Sequence, residues 1–293
     1  MTILTSRHFC SRMRSDQPMH GLSLPDVAKS TFVITIEVLP PRGHDVSKAV
    51  NAFAGFPPGM AHFFNVADSP MARPRLSPTV LAGILQPASG LDAIVHLTVR
   101  DRNRVALESE ILGAKALNIR HHLAVSGDSV EFCDRGQARA ARDLGTDDLI
   151  RLCREMGQTV GAVFDVTPSL RARELHRMDR KVQQGAGFII TQPVFSEEQA
   201  CHLARDLGRF QIPALMGILP LYSTRHTEFL QANVPGILIP DPIRERMAAA
   251  STPITEGVAI ARSLLRVARD CFQGACIMPP FGHYELAADI FLP

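Results

Sequence analysis

The sequence predicts a single-domain α/β protein of the (β/α)8 barrel class. Three observations favour this class: eight short apolar runs rich in β-branched residues, segments with helical spacing between them, and a length of 293 residues. Strands that alternate with helices pair in parallel. Eight such units match the usual length of this barrel, about 250 residues.

The eight predicted strands follow one another without an internal repeat or a low-complexity linker. In chain order they are FVITIEVL (from 32), HFFNVA (62), AIVHLTV (93), HHLAVSG (121), TVGAVFDV (159), GFIITQPV (187), PALMGIL (213) and GACIMPP (274). An open doubly wound sheet is the alternative architecture. The Gly-x-Gly-x-x-Gly turn that would follow its first strand is absent, which favours the barrel.

The segments between the strands have helical periodicity. In DRNRVALESEILGAKALN (101–118), Asp101 is placed to cap a helix. The predicted buried face of this helix consists of Val105, Leu107, Ile111, Ala114 and Leu117. Three further helical segments precede the last strand: TRHTEFLQAN, DPIRERMAAA and EGVAIARSLLRVARDCF.

Composition and charge argue against several classes of protein. The formal net charge is only +2, with two Tyr, no Trp and no polybasic block, so nucleic acid is not an expected partner. No apolar run reaches the roughly 20 residues that span a bilayer. The six cysteines form no Cys-x-x-Cys pair, so we expect neither a disulfide framework nor a metal site, and a reducing cytoplasm fits best.

The sequence divides into a short extension and one barrel domain. Residues 1–30 contain three arginines and several serines but no apolar segment typical of a signal peptide. We expect residues 1–30 to form a poorly ordered extension and residues 31–293 to form the barrel.

A carboxylate lies inside the first predicted strand. Glu37 in ITIEVLPPRG is surrounded by apolar residues at odd and even positions, the pattern of a strand covered on both faces. Burial of an ionised carboxylate without a partner is so costly that its pKa usually rises. Glu37 is therefore either a functional acid or a partner of a buried arginine such as Arg42 or Arg73.

Polar residues also end the other predicted strands. The strand ends of a barrel meet at one mouth, so these side chains are expected to converge there. They are Asn65, Asp68, His96, Thr98, Arg100, Asp101, Ser126, Gly127, Asp128, Thr191 and Gln192. Each has an alternative structural interpretation. Asp128 could be a turn residue, and His96 a hydrogen-bonded core histidine. Gln192 could only hydrogen-bond the loop backbone, and Lys181 in DRKVQQGAG could be a solvated lysine. Together, a buried acid, a carboxylate and an amide suit a nitrogen heterocycle.

Eight stretches in order resemble the methylenetetrahydrofolate reductase family, from about residue 32 to the C-terminus. They are ITIEVLPPRG, NVADSPMARPRLSP, VHLTVRDRN, LAVSGD, DRKVQQGAGFIITQPVF, MGILPLYS, VPGILIPDPIRERM and IMPPFGHYELAADI. The resemblance implies a TIM barrel that reduces 5,10-methylenetetrahydrofolate to 5-methyltetrahydrofolate, as in methionine biosynthesis, usually with FAD relaying hydride from NADH or NADPH.

The resemblance also implies roles for individual residues. Glu37 resembles the general acid that protonates N10, Asp128 the carboxylate that holds the pterin, and Gln192 the pterin-binding amide. The stretches that line FAD in the family match His96, Ser126, Gly127, Asp128, Thr167, Arg180 and Lys181.

Departures from the family pattern concern the flavin. Ser126 stands where better-known members have arginine, and Thr167-Pro168 replaces His-Pro. The hydride could therefore pass through FAD or directly from the nicotinamide in a ternary complex. A non-catalytic folate-binding subunit and a pterin-dependent methyltransferase are the alternative functions. A homo-oligomer is possible, through HTEFLQAN or GHYELAADIFLP.

Overall fold

Eight parallel strands close into a barrel in the order in which they occur in the sequence. A computed structural model describes residues 21–57, 59–133, 138–141, 143–234 and 236–291. The strands are β1 (Val33–Val38), β2 (Phe63–Val66), β3 (Asp92–Thr98), β4 (His121–Val125), β5 (Thr159–Phe164), β6 (Phe188–Pro193), β7 (Ala214–Ile218) and β8 (Gly274–Ile277). Because β1 pairs with both β2 and β8, the sheet is closed and the predicted barrel class is confirmed.

Helices follow each strand and cover the outside of the barrel, except for the first helix, which precedes β1. They are α1 (Leu24–Val27), α2 (Ser47–Ala54), α3 (Pro78–Ser89), α4 (Arg104–Ala116), α5 (Thr146–Glu155), α6 (Arg171–Gln184), α7 (Glu197–Leu207), α8 (Thr224–Asn233), α9 (Asp241–Ala249), α10 (Pro253–Cys271) and α11 (Glu285–Phe291). The three helices predicted before the last strand are α8, α9 and α10. Within the described residues, no helix combines the length and the apolar composition needed to cross a bilayer.

Alternation along each strand divides the buried residues into two cores. Side chains such as Ile34, Ile36 and Val38 belong to the large core between the strands and the helices. Val33 of the same strand belongs to the smaller core inside the barrel. Glu37 has the same parity as Val33, so β1 directs its carboxylate into the barrel at the end nearest the mouth.

Helix α1 closes the opposite end of the barrel. Leu24 and Val27 are fully buried in the interior core, and the amide of Leu24 donates to Nε2 of His121 at 3.1 Å. These residues fall within the stretch 1–30 that the sequence predicts to be poorly ordered. Residues 1–20 lie outside the described residues, whereas residues 21–30 pack against the barrel because α1 buries two apolar side chains there.

The start and the buried face of α4 differ from the prediction. Asn103, not Asp101, caps the helix, because its Oδ1 accepts the amide proton of Ala106 at 3.0 Å. Asp101 instead pairs with the Arg100 guanidinium. Val105 and Leu117 are exposed, at 76% and 44%. At 100° per residue, Leu117 lies at the edge of the stripe formed by Leu107, Ile111 and Ala114, and Val105 lies almost opposite to it.

Candidate active site

A cavity of about 310 Å³ opens at the mouth formed by the C-terminal ends of the strands. The sequence-predicted residues that line it are Glu37, Asp68, His96, Thr98, Ser126, Gly127, Asp128, Lys181 and Gln192. The structure therefore brings the three expected folate residues and most of the expected flavin residues to one place.

Glu37 lies in the interior wall of this cavity. Burial raises the pKa of its carboxyl group from 4.5 to about 7. A paired arginine, the structural alternative considered for this residue, would instead lower the pKa. The neighbour that the register of β1 and β2 provides is Asn65, whose Nδ2 donates to Oε2 of Glu37 at 3.4 Å.

Asp128 connects two loops at the rim of the cavity. It follows Gly127, whose φ of +80° favours glycine and whose hypothetical Cβ would lie 2.4 Å from Cγ2 of Thr98. A carboxylate oxygen of Asp128 accepts the amide proton of Met71, in the loop after β2. The Arg100 guanidinium donates to the Asp128 carbonyl at 3.2 Å. These contacts hold the β4 loop close to the barrel axis.

An irregularity in β6 presents Gln192 to the cavity. The register between β6 and β7 shifts after Ile190, where Oγ1 of Thr191 accepts the amide proton of Gly217 at 2.9 Å. Thr191 is therefore a structural residue of the bulge. The Oε1 atom of Gln192 is buried and has no hydrogen-bond partner among the described residues. An orphaned amide oxygen beside a cavity is available to a donor on a ligand.

Gly236 approaches the side chain of Gln192 very closely. This glycine lies between α8 and α9, with a φ of +81°. A Cβ at this position would lie 2.3 Å from Oε1 and 2.7 Å from Nε2 of Gln192. Only a residue without a side chain leaves the Gln192 amide in its place.

One face of α6 adds two charged residues, Glu174 and Arg177, that the sequence interpretation missed. Together with the expected Lys181 they line the cavity, at the spacing of one helix face. Arg177 donates to Oε1 of Glu174 at 2.7 Å, and Nζ of Lys181 donates to the carbonyl of Val163 at 2.9 Å. Burial lowers the pKa of Lys181. Helical periodicity counted back from Lys181 could have identified the other two.

Two residues expected at the flavin lie away from this cavity. Arg180 is half exposed and pairs with Asp147 at 3.2 Å, because one residue along a helix turns a side chain by about 100° from Lys181. Thr167 precedes a 3-10 turn, and its amide donates to Asp165 at 2.9 Å. Asp165, which the sequence interpretation did not include, lines the cavity in this part of the mouth.

Several other polar strand-end residues have structural partners. Asp68 accepts the amide proton of Thr98 at 2.9 Å and pairs with Arg102 at 2.6 Å. Among the described residues, no group of three or more His, Cys, Asp or Glu side chains is arranged to hold a metal ion.

An aromatic cluster occupies the loops after β7 and β8 at the same mouth. The ring of Tyr222 stacks on His283 with centroids 4.7 Å apart, and Phe281 packs 5.0 Å from the ring of His226. Phe281 is 61% exposed. These flat surfaces, on the opposite side of the barrel from Asp128, were not found from the sequence because the loop residues follow no period.

A second cavity of about 300 Å³ adjoins the first. The two share Ser126, Gly127 and Asp128, and the second extends outward past Arg100 towards Leu144. The β4 loop is therefore a common wall of the two cavities.

Comparison with known proteins identifies the relatives of this chain. The methylenetetrahydrofolate reductase family model matches residues 24–276. A probable methylenetetrahydrofolate reductase (NADPH) from Caenorhabditis elegans is 28% identical over 185 residues, which cover 56% of this chain and 26% of that protein. Methylenetetrahydrofolate reductase 2 from Schizosaccharomyces pombe is 26% identical over 190 residues, which cover 58% of this chain and 29% of that protein. The chain thus matches less than a third of the length of either relative.

A solved structure shares the fold. An uncharacterized protein from Clostridium thermocellum that binds two copies of 5-methyl-5,6,7,8-tetrahydrofolic acid superposes with a TM-score of 0.63, covering 91% of this chain and 98% of that one. The sequence identity is 16%, so this likeness concerns the barrel alone. The match of the family model over most of the sequence is the stronger finding, and by it the chain belongs to the methylenetetrahydrofolate reductase family.

Proposed function

We propose that this protein reduces 5,10-methylenetetrahydrofolate to 5-methyltetrahydrofolate with hydride from NADH or NADPH. The observation that carries the proposal is the common cavity of Glu37, Asp128 and Gln192, in which burial raises the pKa of Glu37 to about 7. An acid with a pKa near the working pH is present in both protonation states and is suited to proton transfer.

Glu37 supplies the proton that opens the folate ring. Its carboxyl group protonates N10, the bond between N10 and the methylene carbon breaks, and a cationic N5-iminium group forms. Hydride from the reduced nicotinamide then adds to the methylene carbon and gives the methyl group. The nicotinamide leaves oxidised, and Glu37 regains a proton from water.

Gln192 and Asp128 bind and stabilise the pterin. The unpartnered Oε1 of Gln192 accepts a hydrogen bond from the heterocycle, while its Nε2 donates one. The carboxylate of Asp128 lies at the rim of the same cavity and stabilises the iminium cation electrostatically. Such stabilisation becomes stronger when the bound ligand displaces water from the cavity.

FAD fits the remaining residues and is proposed as the resident cofactor. Ser126 and Gly127 line both cavities, and His96 and Lys181 line the inner one. At Gly127 a Cβ would meet Cγ2 of Thr98 at 2.4 Å and Cβ of Arg100 at 2.9 Å, so a glycine lets this loop pack closely against β3 and the residues that follow it. When bound beside these residues, FAD would supply a carrier of hydride between the nicotinamide and folate.

The visible absorption spectrum of the purified protein tests the cofactor. We expect a flavin spectrum that bleaches when NADH or NADPH is added without oxygen, because Ser126, Gly127, His96 and Lys181 line a site for the ring. A colourless protein that takes up no added FAD would contradict this assignment. Direct transfer from the nicotinamide to folate would then be tested by turnover.

Glu37→Gln is expected to lower folate reduction by about 10²–10⁴-fold, because glutamine cannot give up a proton. Folate binding and, with flavin bound, flavin reduction by the nicotinamide should persist. Stopped-flow kinetics measures folate reduction and flavin reduction, and titration measures folate binding. Glu108→Gln, on the surface of α4, is the control. Retention of most folate activity would refute the acid role. If the wild-type protein binds folate but oxidises no nicotinamide, the result would indicate a folate-binding subunit.

The stability of the protein should depend on the ionisation of Glu37. The pKa is 4.5 in the unfolded chain and about 7 in the folded protein, so between these values only the folded state retains the proton. The contribution of Glu37 to the free energy of unfolding therefore falls as the pH rises. From about pH 5 to about pH 8 the wild type should lose up to about 3 kcal/mol relative to Glu37→Gln. Urea unfolding of both proteins at a series of pH values measures this difference. If the free energies of unfolding of the wild type and the variant change equally with pH, the prediction is wrong.

Gly236→Ala should weaken folate binding by about tenfold, the equivalent of one lost hydrogen bond, because the new Cβ displaces the Gln192 amide. Gly90→Ala is the matched control. Gly90 also has a positive φ, of +70°, but its Cβ would meet nothing within 4 Å. Equal folate dissociation constants for the two variants, measured by fluorescence titration, would show that the contact with Gln192 does not matter.

A further inference from the structure

A buried asparagine lies directly beneath the proposed acid. Asn65 of β2 is fully buried inside the barrel. Its Nδ2 lies 3.4 Å from Oε2 of Glu37 and 3.3 Å from Nε2 of His96. One amide group thus faces both the acid on β1 and the imidazole on β3.

The orientation of this amide is set from its other side. Oδ1 of Asn65 accepts a hydrogen bond from Oγ1 of Thr35 and another from Sγ of Cys276, the latter at 3.5 Å. Burial raises the pKa of Cys276 to about 12, so its thiol keeps its proton and acts as a donor. With Oδ1 held by two donors, the two N–H groups of Asn65 are directed at Glu37 and His96.

Both acceptors then have a defined proton position. Burial lowers the pKa of His96 to about 4, so the ring is neutral near neutral pH and carries one proton. Because Nε2 accepts from Asn65, that proton is on Nδ1. Likewise Oε2 of Glu37 accepts from Asn65, which leaves Oε1 to carry the acidic proton.

We propose that Asn65 is a positioning residue that places the exchangeable proton of Glu37 on Oε1 and the ring proton of His96 on Nδ1. Both side chains line the cavity, so Asn65 selects which hydrogen-bond donors the cavity offers to a ligand. The consequence for turnover rests on the proposed function, whereas the proton positions are properties of the protein alone.

Other ionisable groups near the pair leave this arrangement intact. On the β8 side, Cys276 and Tyr284 face Glu37, and burial raises the pKa of each to about 12, so both are neutral. Asp68 acts on His96 from the β2 loop and opposes the fall in its pKa, but burial is the larger effect.

Nitrogen NMR of histidine tests the proton positions without any substrate. In protein labelled with ¹⁵N at histidine, the signals of His96 are assigned by their loss in His96→Gln. We expect a neutral ring with its proton on Nδ1. In Asn65→Asp the new carboxylate accepts a hydrogen bond instead of donating one, so the proton should move to Nε2. A wild-type ring protonated on Nε2, or no change in the folded variant, would overturn the proposal.

Kinetics of the same variant test the consequence for the acid. Asn65→Asp should lower kcat for folate reduction by about 10- to 100-fold, with KM changed by less than about twofold. The added negative charge raises the pKa of Glu37, so the alkaline fall in rate should move to higher pH. A purely structural defect would lower the rate without changing the pH at which the rate falls. Asn51→Asp, on the exposed side of α2, is the matched control.

The two proposals fail in different ways. A wild-type protein that does not reduce methylenetetrahydrofolate refutes the proposed function and leaves the histidine spectra to decide the role of Asn65. A wild-type protein that does reduce it, together with Asn65→Asp of equal rate and pH profile, refutes the positioning role alone.

Discussion

Removal of water from one carboxylate is the constraint on which the site depends. Glu37 has the inward parity of β1, so the closure of the barrel that buries Val33 also encloses the carboxyl group. The energetic cost of a buried negative charge raises its pKa to about 7. In the proposed reaction the same desolvation that makes the group an acid also strengthens its attraction for a cationic intermediate.

Inside the barrel, the polarity of the side chains increases from the bottom to the mouth. Towards the bottom the interior core is mostly apolar, with Phe63, Phe188 and Leu215, and the ring of His121 packs against Phe63. Above them, Thr35, Asn65 and Cys276 exchange hydrogen bonds with one another. At the mouth the cavity is lined by ionisable groups. Asn65 thus has partners on both sides of its amide group, which is the condition for a buried polar network to stabilise a core.

The sequence predicts the fold well because strand periodicity is a property of neighbouring residues. All eight strands occur where apolar β-branched runs predict them, and strand ends identify Glu37, Asp128 and Gln192 as cavity residues. Features that depend on distant contacts were harder to infer. Arg180 was selected by its motif, although the face of α6 presents Arg177 instead. The close approach of Gly236 to Gln192 joins residues that no local pattern connects.

The seal at the bottom of the barrel bears on the order of events in a catalytic cycle. Leu24 and Val27 of α1 cover the interior core, which separates Glu37 from solvent on that side. The carboxyl group faces the mouth, which bound folate would occupy. In the proposed reaction, a new proton would therefore reach Glu37 by the path through which product departs. Glu37 would therefore be reprotonated after product release and not while folate is bound. The rate of product release would then limit how soon the next turnover can begin.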